Sequence, residues 1–196
     1  MRMSNLTVQL YYSRENSAAD QDSLMRTSTD GGLTWSTAAT ISGAEFNNVR
    51  DGMVGVAVVP GRAHKNELLA VFESEAGGFF TVDSIRSHDG GMTWGERSRV
   101  YTPAGNNTNA GAPQIVAVGH SLLVSFMTDE DTGKNKWVSG ADAKVVVSHD
   151  GGYTWSDRVL VGPVESFWPG MVTIDRHAAL VMYDHGGPLA QKVIVS

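Results

Sequence analysis

Cysteine is absent from the 196 residues, which excludes disulfides, thiolate metal sites and a cysteine nucleophile. Basic runs are absent too. With 15 Lys and Arg against 21 Asp and Glu, the formal net charge is −6, the opposite of the basic stripe that a phosphate backbone demands, so nucleic acid is not an expected partner. No stretch approaches the ~18 apolar residues of a membrane-spanning helix, so no membrane partner is expected either. The opening Met1-Arg2-Met3-Ser4-Asn5-Leu6 shows no apolar core of a signal peptide. The six histidines are scattered singly with no i, i+4 pair, and neither a metal site nor a cofactor is expected. No segment stands out as a helix.

What the chain does have is glycine, 22 residues of it, and three copies of one octet: Ser28-Thr29-Asp30-Gly31-Gly32-Leu33-Thr34-Trp35, Ser87-His88-Asp89-Gly90-Gly91-Met92-Thr93-Trp94 and Ser148-His149-Asp150-Gly151-Gly152-Tyr153-Thr154-Trp155. Self-similarity at a near-constant period of about 60 residues marks one supersecondary unit stacked several times. Each part of the octet serves a tight turn. The aspartate bonds its own backbone a few residues on, the glycine pair supplies positive φ without steric cost, and the tryptophan packs back as an apolar anchor. Asp30, Asp89 and Asp150, with Trp35, Trp94 and Trp155, are therefore read as structural.

The octets are punctuation between β-type runs. Ser23–Thr27, Asp83–Arg86 and Lys144–Val147 precede them; Arg97–Tyr101 and Asp157–Val161 follow. A weaker repeat lies upstream, where Asp51–Val58 aligns with Gly111–Val118 and with Phe167–Ile174. Each is followed by an apolar run, Glu67–Phe72, Ser121–Phe126 and Ala178–Tyr183, and Thr7–Tyr12 belongs to the same class. One unit thus reads as four antiparallel strands, with the octet turn between the third and fourth, which is the blade of a β-propeller. The expected organisation is all-β, one partial propeller domain over residues 1–196: a partial blade at 7–43, blades at about 51–103 and 111–163, and a partial blade at 167–196. Propellers close with ~4–8 blades, so about three cannot close. The chain is read as part of a longer one, with self-association through open blade edges as the alternative.

Topology then sorts the loops. Octet turns lie on one face; second-to-third-strand loops and blade connections lie on the other, where a site is expected. Those loops carry Ser13-Arg14-Glu15-Asn16, Glu73 to Gly78, Thr128 to Gly133 followed by Trp137, and Asp184-His185-Gly186-Gly187. The connections carry Asn47-Asn48-Val49-Arg50-Asp51, Asn106 to Asn109, and Glu165-Ser166-Phe167-Trp168. Acids, amides, an arginine and aromatics converging on one face suit a sugar, and a glycosidase needs two carboxyls flanking one bond.

The octet is the Asp box and resembles the repeat of sialidase-type β-propellers. Arg50-Asp51-Gly52-Met53 through Val71-Phe72-Glu73, Val124 to Glu130, and Phe167-Trp168-Pro169 are similar to family 93 glycoside hydrolases. That resemblance implies a six-bladed propeller, a carbohydrate substrate of terminal α-L-arabinofuranosyl units, retention with two glutamates, and an extracellular home for the full-length protein. Carried onto this chain, it implies Glu73 as acid/base and Glu130 as nucleophile, with Arg50, Asp51 and Trp168 as sugar contacts; Asn109 and Asp184, from the loops and connections of the same face, are read as further substrate contacts. An exo-α-sialidase is the second reading, although Arg50 alone is placed to contribute to the arginine triad that sialate recognition uses. A non-catalytic Asp-box propeller that binds carbohydrate or protein is the third.

Overall fold

The computed structural model describes residues 7–43, 49–61, 66–75, 78–133 and 137–195. Asn47, Asn48, Ala76 and Gly77, named above in candidate loops, lie outside the described residues, as does the opening hexapeptide.

Among the described residues, fourteen strands form four antiparallel sheets. The first sheet is β1 (Val8–Ser17), β2 (Asp20–Ser28) and β3 (Ala39–Ser42). The second is β4 (Asp51–Val58), β5 (Leu68–Ser74), β6 (Thr81–Ser87) and β7 (Gly95–Tyr101). The third is β8 (Ala110–Val118), β9 (Ser121–Thr128), β10 (Asp142–Ser148) and β11 (Val159–Gly162). The last is β12 (Phe167–Asp175), β13 (Ala178–Asp184) and β14 (Pro188–Ile194). Every sheet is a meander of sequential neighbours. The chain is an all-β partial propeller.

Three interfaces between successive sheets hold the core. Met25, Ile41, Ala70, Phe72 and Ile85 fill the first; Leu69, Val71, Val82, Leu122, Val124 and Phe126 the second; Leu123, Val145, Val161, Val181 and Tyr183 the third. β5 and β9 are buried along their whole length, because each has a sheet on both sides. That is why Leu68-Leu69-Ala70-Val71-Phe72 reads as a continuous apolar run rather than an alternation. Fully buried Phe72 and Phe126 each contribute about 1.5–3 kcal/mol of transfer free energy.

The Asp boxes are β2–β3, β6–β7 and β10–β11 turns, and each is satisfied from within. In the first, the Ser28 hydroxyl donates to Asp30 (2.7 Å) and accepts from Gly32 N–H (2.8 Å), while Thr34 donates both its N–H (2.9 Å) and its hydroxyl (2.6 Å) to Asp30. The same set recurs around Asp89 and Asp150. These bonds, the threonine hydroxyl foremost, hold the Asp30 carboxyl well below its ordinary range and that of Asp89 down at about 2. No capacity is left for acid–base work.

The boxes also join blades. A Cβ on Gly91 would stand 2.9 Å from Met25 Sδ, and one on Gly152 would stand 2.5 Å from Leu69 Cδ2, so in the second and third boxes the second glycine seats the turn against the preceding sheet. The first glycine's carbonyl accepts from that sheet as well: Gln9 bonds Gly90 (2.6 Å) and Arg86 bonds Gly151 (2.8 Å).

Two sequence expectations are corrected. Ser13-Arg14-Glu15-Asn16 is no loop; it lies inside β1, paired with β2 from Val8↔Ser28 to Ser17↔Asp20. The upstream repeat is also out of register by one residue. Gly52 pairs with Glu73 and Gly111 with Met127, so Gly52, not Asp51, is the counterpart of Gly111 and Phe167. A bulge in each inner strand, between Gly52 and Gly55, Gly111 and Gln114, and Phe167 and Gly170, hides the register.

Candidate functional site

Strand pairing places one residue of each sheet at an equivalent position. Ser13, Glu73 and Met127 lie opposite Ser23, Val82 and Ala143, and these third-strand residues lie opposite Ser42, Tyr101 and Gly162. Asp184, opposite Phe167, completes the series. Glu73, Met127 and Asp184 lie at or next to a strand end at the face away from the boxes, whereas β1 runs on past Ser13 to Ser17. Glu73 pairs with Val82, whereas Ser87 at the start of the box pairs with Leu68; the two ends are separated by about 17 Å at ~3.3 Å per residue.

The bulges next to these positions repeat an unusual conformation. Met53 (φ 55°), Ala112 (φ 48°) and Trp168 (φ 52°) are left-handed non-glycine residues at equivalent places in β4, β8 and β12. Each costs on the order of 1–3 kcal/mol, and such strain concentrates at functional sites. Two of them aim a backbone N–H at the preceding blade: Ala112 donates to Glu73 Oε2 (2.9 Å), and Trp168 donates to Met127 Sδ (3.4 Å). The geometry is common to both; only Glu73 puts a carboxyl there.

Glu73 sits in a niche that exists because residue 111 is glycine. A Cβ there would lie 2.5 Å from Glu73 Oε2 and 2.7 Å from Trp137 Cζ2. Trp137 stacks on Phe80 with ring centroids 5.6 Å apart. The Phe80 N–H donates to Asn109 Oδ1 (3.1 Å), and the Asn109 side chain donates to buried Asp129 (3.1 Å). Burial pushes the Glu73 carboxyl up, against the Ala112 N–H and the positive field of Arg50, while Glu75 adds to the rise. A carboxyl in apolar surroundings with one fixed donor is poised to hold its proton.

The other expected site residues separate. Arg50 is near Glu73 but committed: it donates to Glu15 (3.0 Å), the Ala18 carbonyl (2.8 Å) and Gln21 (3.3 Å), and its Nε lies 3.9 Å from Glu75. Asp51 is 0% exposed, held by both arms of Arg97 (2.6 and 3.0 Å) and by the Ser42 hydroxyl (2.6 Å). A sugar cannot reach it, which corrects its assignment as a substrate contact. Asn109 is likewise buried, and it supports Phe80 rather than a ligand. Trp168, half-exposed, and exposed Asp184 share an open hollow on the last sheet of about 670 Å³, where Asp184 accepts the Gly187 N–H (2.9 Å).

Glu130 is furthest from expectation. Its carboxylate accepts from the Tyr101 hydroxyl (2.6 and 2.7 Å), Ala104 N–H (2.6 Å), Lys144 Nζ (2.7 Å) and Arg158 Nε (2.9 Å), and its side chain is 0% exposed. These donors outweigh its burial and draw its carboxyl down. Its partners come from β7 and the connection after it, from β10 and from Arg158 just before β11, whereas Glu73 bonds the inner strand β8; among the described residues no hydrogen-bond partner is shared by the two acids. The surroundings of Glu130 are those of a structural anchor.

Sequence reasoning gave Gly111, Ala112 and Phe80 no part in the site, and placed Glu75 in the Glu73 loop without singling it out. Only the ladder register, which the bulges obscure, brings the first two to Glu73. Among the described residues, no cluster of His, Asp and Glu could hold a metal ion.

Two segments of the chain, residues 26–37 and 146–157, match the model of the BNR/Asp-box repeat; the middle octet matches by residue pattern and geometry. Compared by sequence with curated proteins, the chain matches none. Among solved structures it is similar to the α-L-arabinofuranosidase Arb93A from Fusarium graminearum, with 18% identity, 94% of this chain and 55% of that one covered, and a TM-score of 0.68. It is also similar to the Penicillium chrysogenum α-L-arabinanase complexed with arabinobiose (17%, 96% and 64%, 0.61) and to Trypanosoma rangeli sialidase (14%, 90% and 32%, 0.62). The chain spans about half the length of the Fusarium protein. At these identities the likeness is one of fold, that of β-propeller glycosidases.

Proposed function

We propose that the chain is the part of a glycoside hydrolase propeller that carries one catalytic carboxyl, Glu73, and that its substrate is a neutral glycan ending in α-L-arabinofuranosyl units. The carrying observation is the Glu73 niche. A carboxyl whose ionised form is disfavoured by burial, fixed by the Ala112 N–H and walled by the Phe80–Trp137 pair, has the attributes of a general acid that protonates a leaving oxygen. The stacked aromatics offer an apolar face for a sugar ring. The arabinofuranosidase and arabinanase among the structural neighbours support the sugar class.

A second carboxyl is required for the displacement or for activating water. Glu130 is engaged on every side; Glu75 is the partner we propose. It is two residues beyond Glu73, partly exposed, and close enough for its charge to act on Glu73. A sialidase reading has less support, since Arg86, Arg97 and Arg158 are committed to Glu67, Asp51 and Glu130.

The test is release of 4-nitrophenol from 4-nitrophenyl α-L-arabinofuranoside, with the sialic acid analogue alongside. Glu73→Gln is expected to lower kcat by at least about 100-fold with an unchanged melting temperature, and Glu75→Gln by a comparable factor. Turnover equal to wild type in Glu73→Gln would remove it from catalysis. The absence of turnover in the wild type would leave the non-catalytic propeller.

A further inference from the structure

The seam between the third and fourth sheets carries a cavity of about 530 Å³ on the box face, away from Glu73. Its polar lining is His120, Ser121, His149, Arg176 and His177. Three turns deliver these groups: His120 stands in the β8–β9 turn, His149 in the third Asp box, and Arg176 and His177 in the β12–β13 turn. The turns are seated on one another. Gly119 is left-handed at φ 60°, and a Cβ on it would lie 2.7 Å from the Arg176 carbonyl oxygen. Across the same seam the Thr173 hydroxyl donates to the Ala117 carbonyl (2.8 Å), and the Val195 N–H donates to the His177 carbonyl (2.8 Å). The backbone that carries the basic side chains is thus fixed before any ligand arrives.

The charge of this lining runs against that of the chain. The net charge is −6, yet one guanidinium and three imidazoles share the cavity, and no carboxylate lines it. Arg176 Nε donates to His177 Nε2 (2.8 Å), and His149 Nδ1 lies 2.8 Å from the Ser121 hydroxyl. The acids on the same turns are otherwise engaged: Asp150 accepts from Ser148, Tyr153 and Thr154 within its box, and Asp175 accepts the His177 N–H (2.7 Å). The second blade supplies an internal comparison. His88, the counterpart of His149, has Glu67 at 3.9 Å and Glu96 at 3.2 Å. Leu68 pairs with Ser87 as Leu122 pairs with Ser148, so Ser121 stands where the second blade has Glu67. One blade neutralises its box histidine with an acid; the next replaces that acid with a hydroxyl and adds an arginine. Among the described residues no set of these imidazoles could hold a metal ion, and the guanidinium beside them disfavours a cation.

A guanidinium fork, imidazole N–H groups and a hydroxyl are the donors that oxyanions take. Arriving from three turns, they suit the several oxygens of a tetrahedral group, whereas a planar carboxylate is satisfied by one arginine fork. We infer that this seam binds a tetrahedral dianion, the phosphate or sulfate group of a monoester. Binding there requires neither Glu73 nor hydrolysis. Imidazoles gain charge in acid, so the affinity rises as pH falls.

The experiment titrates sodium sulfate into the full chain at pH 6 and pH 8, with ionic strength held constant by sodium chloride, and follows the histidine ring signals by NMR. Sodium acetate is titrated in parallel, and sodium phosphate at pH 8. Saturable shifts are expected at His120, His149 and His177, with a Kd for sulfate about tenfold lower at pH 6 than at pH 8. Arg176→Gln, at an exposed position, is expected to weaken sulfate binding by about tenfold, leaving the melting temperature and the turnover of the 4-nitrophenyl glycoside unchanged. Ser121→Glu installs the acid of the second blade beside His149 and is expected to abolish saturation; Arg176→Gln tests the same site should that chain fail to fold. Tighter binding of either sulfate or phosphate at pH 8 upholds the site and names the ester. Shifts that never saturate, acetate bound as tightly as sulfate, equal affinity at the two pH values, or wild-type affinity in Arg176→Gln overturns it.

Discussion

At the scale of single residues, the niche makes two demands that substitution can separate. Gly111→Ala introduces a methyl group 2.5 Å from Glu73 Oε2 and 2.7 Å from Trp137. Either the carboxyl leaves its Ala112 donor or the indole leaves Phe80, and the expected cost is about 1–3 kcal/mol of stability together with loss of turnover. A fully active Gly111→Ala enzyme with the wild-type melting temperature would show the niche to be irrelevant. Asp142 tests a different effect. Burial pushes its carboxyl up to about 7, against the pull of Lys144 3.5 Å away, and its Oδ1 has no hydrogen-bond partner. A carboxyl whose folded pKa exceeds its unfolded value stabilises the fold below the unfolded value, and that contribution is lost as pH rises from about 4 through about 7. Asp142→Asn keeps the shape without the charge, so its melting temperature relative to wild type is expected to climb between pH 5 and pH 8, by the equivalent of about 1–3 kcal/mol. A difference that stays flat across that interval would mean that Asp142 titrates normally. Residue types alone pointed to Glu73, because an acid ending an apolar run on the loop face is conspicuous. They also pointed to Asp51 and Glu130, equally conspicuous, and could not register that Arg97, Tyr101 and Lys144 reach across from neighbouring strands to claim them.

At the scale of the element, the Asp box combines a turn and a blade joint, and the chain contains a natural control that separates them. Gly32 and Gly152 are the same position of the same turn, at φ 95° and 91°. Around Gly32 the nearest atom to an added Cβ is the box's own Trp35 at 3.7 Å; around Gly152 it is Leu69 of the preceding sheet at 2.5 Å. Gly32→Ala should therefore cost only the left-handed backbone, about 1–2 kcal/mol. Gly152→Ala should add an overpacking cost of about 1–3 kcal/mol. Equal losses in chemical denaturation would mean that the second glycine serves the turn alone. The turn half of the box was legible in the sequence, since Ser, Asp, Gly-Gly and Thr each carry a local hydrogen-bonding or φ signature. The joint half was not, because Met25 and Leu69 sit 66 and 83 residues before the glycines they meet. For the same reason the inner strands were read one residue out of register: a bulge breaks the two-residue period at Met53, Ala112 and Trp168, and nothing in their side chains announces it.

At the scale of the molecule, each sheet buries one face against its predecessor and offers the other to a successor. In the last sheet Met171, Val181, Tyr183 and Val193 point back into the third interface. Their alternates Val172, Ile174, Met182 and Ile194 are 42–73% exposed. The period of two that packs one face leaves the other apolar, and among the described residues no strand pairs with the outward side of β14. Apolar faces and open edges together favour pairing with another copy. The isolated chain is expected to associate as its concentration rises, as a shift in sedimentation velocity between micromolar and hundred-micromolar samples. Val172→Lys with Met182→Glu places opposite charges on that face without entering the interior, and is expected to return a monomer with an unchanged melting temperature. Association that persists in the double variant would move the contact to another surface, such as the β1 edge. A wild-type chain that stays monomeric throughout would show that one unpaired blade face is tolerated in water.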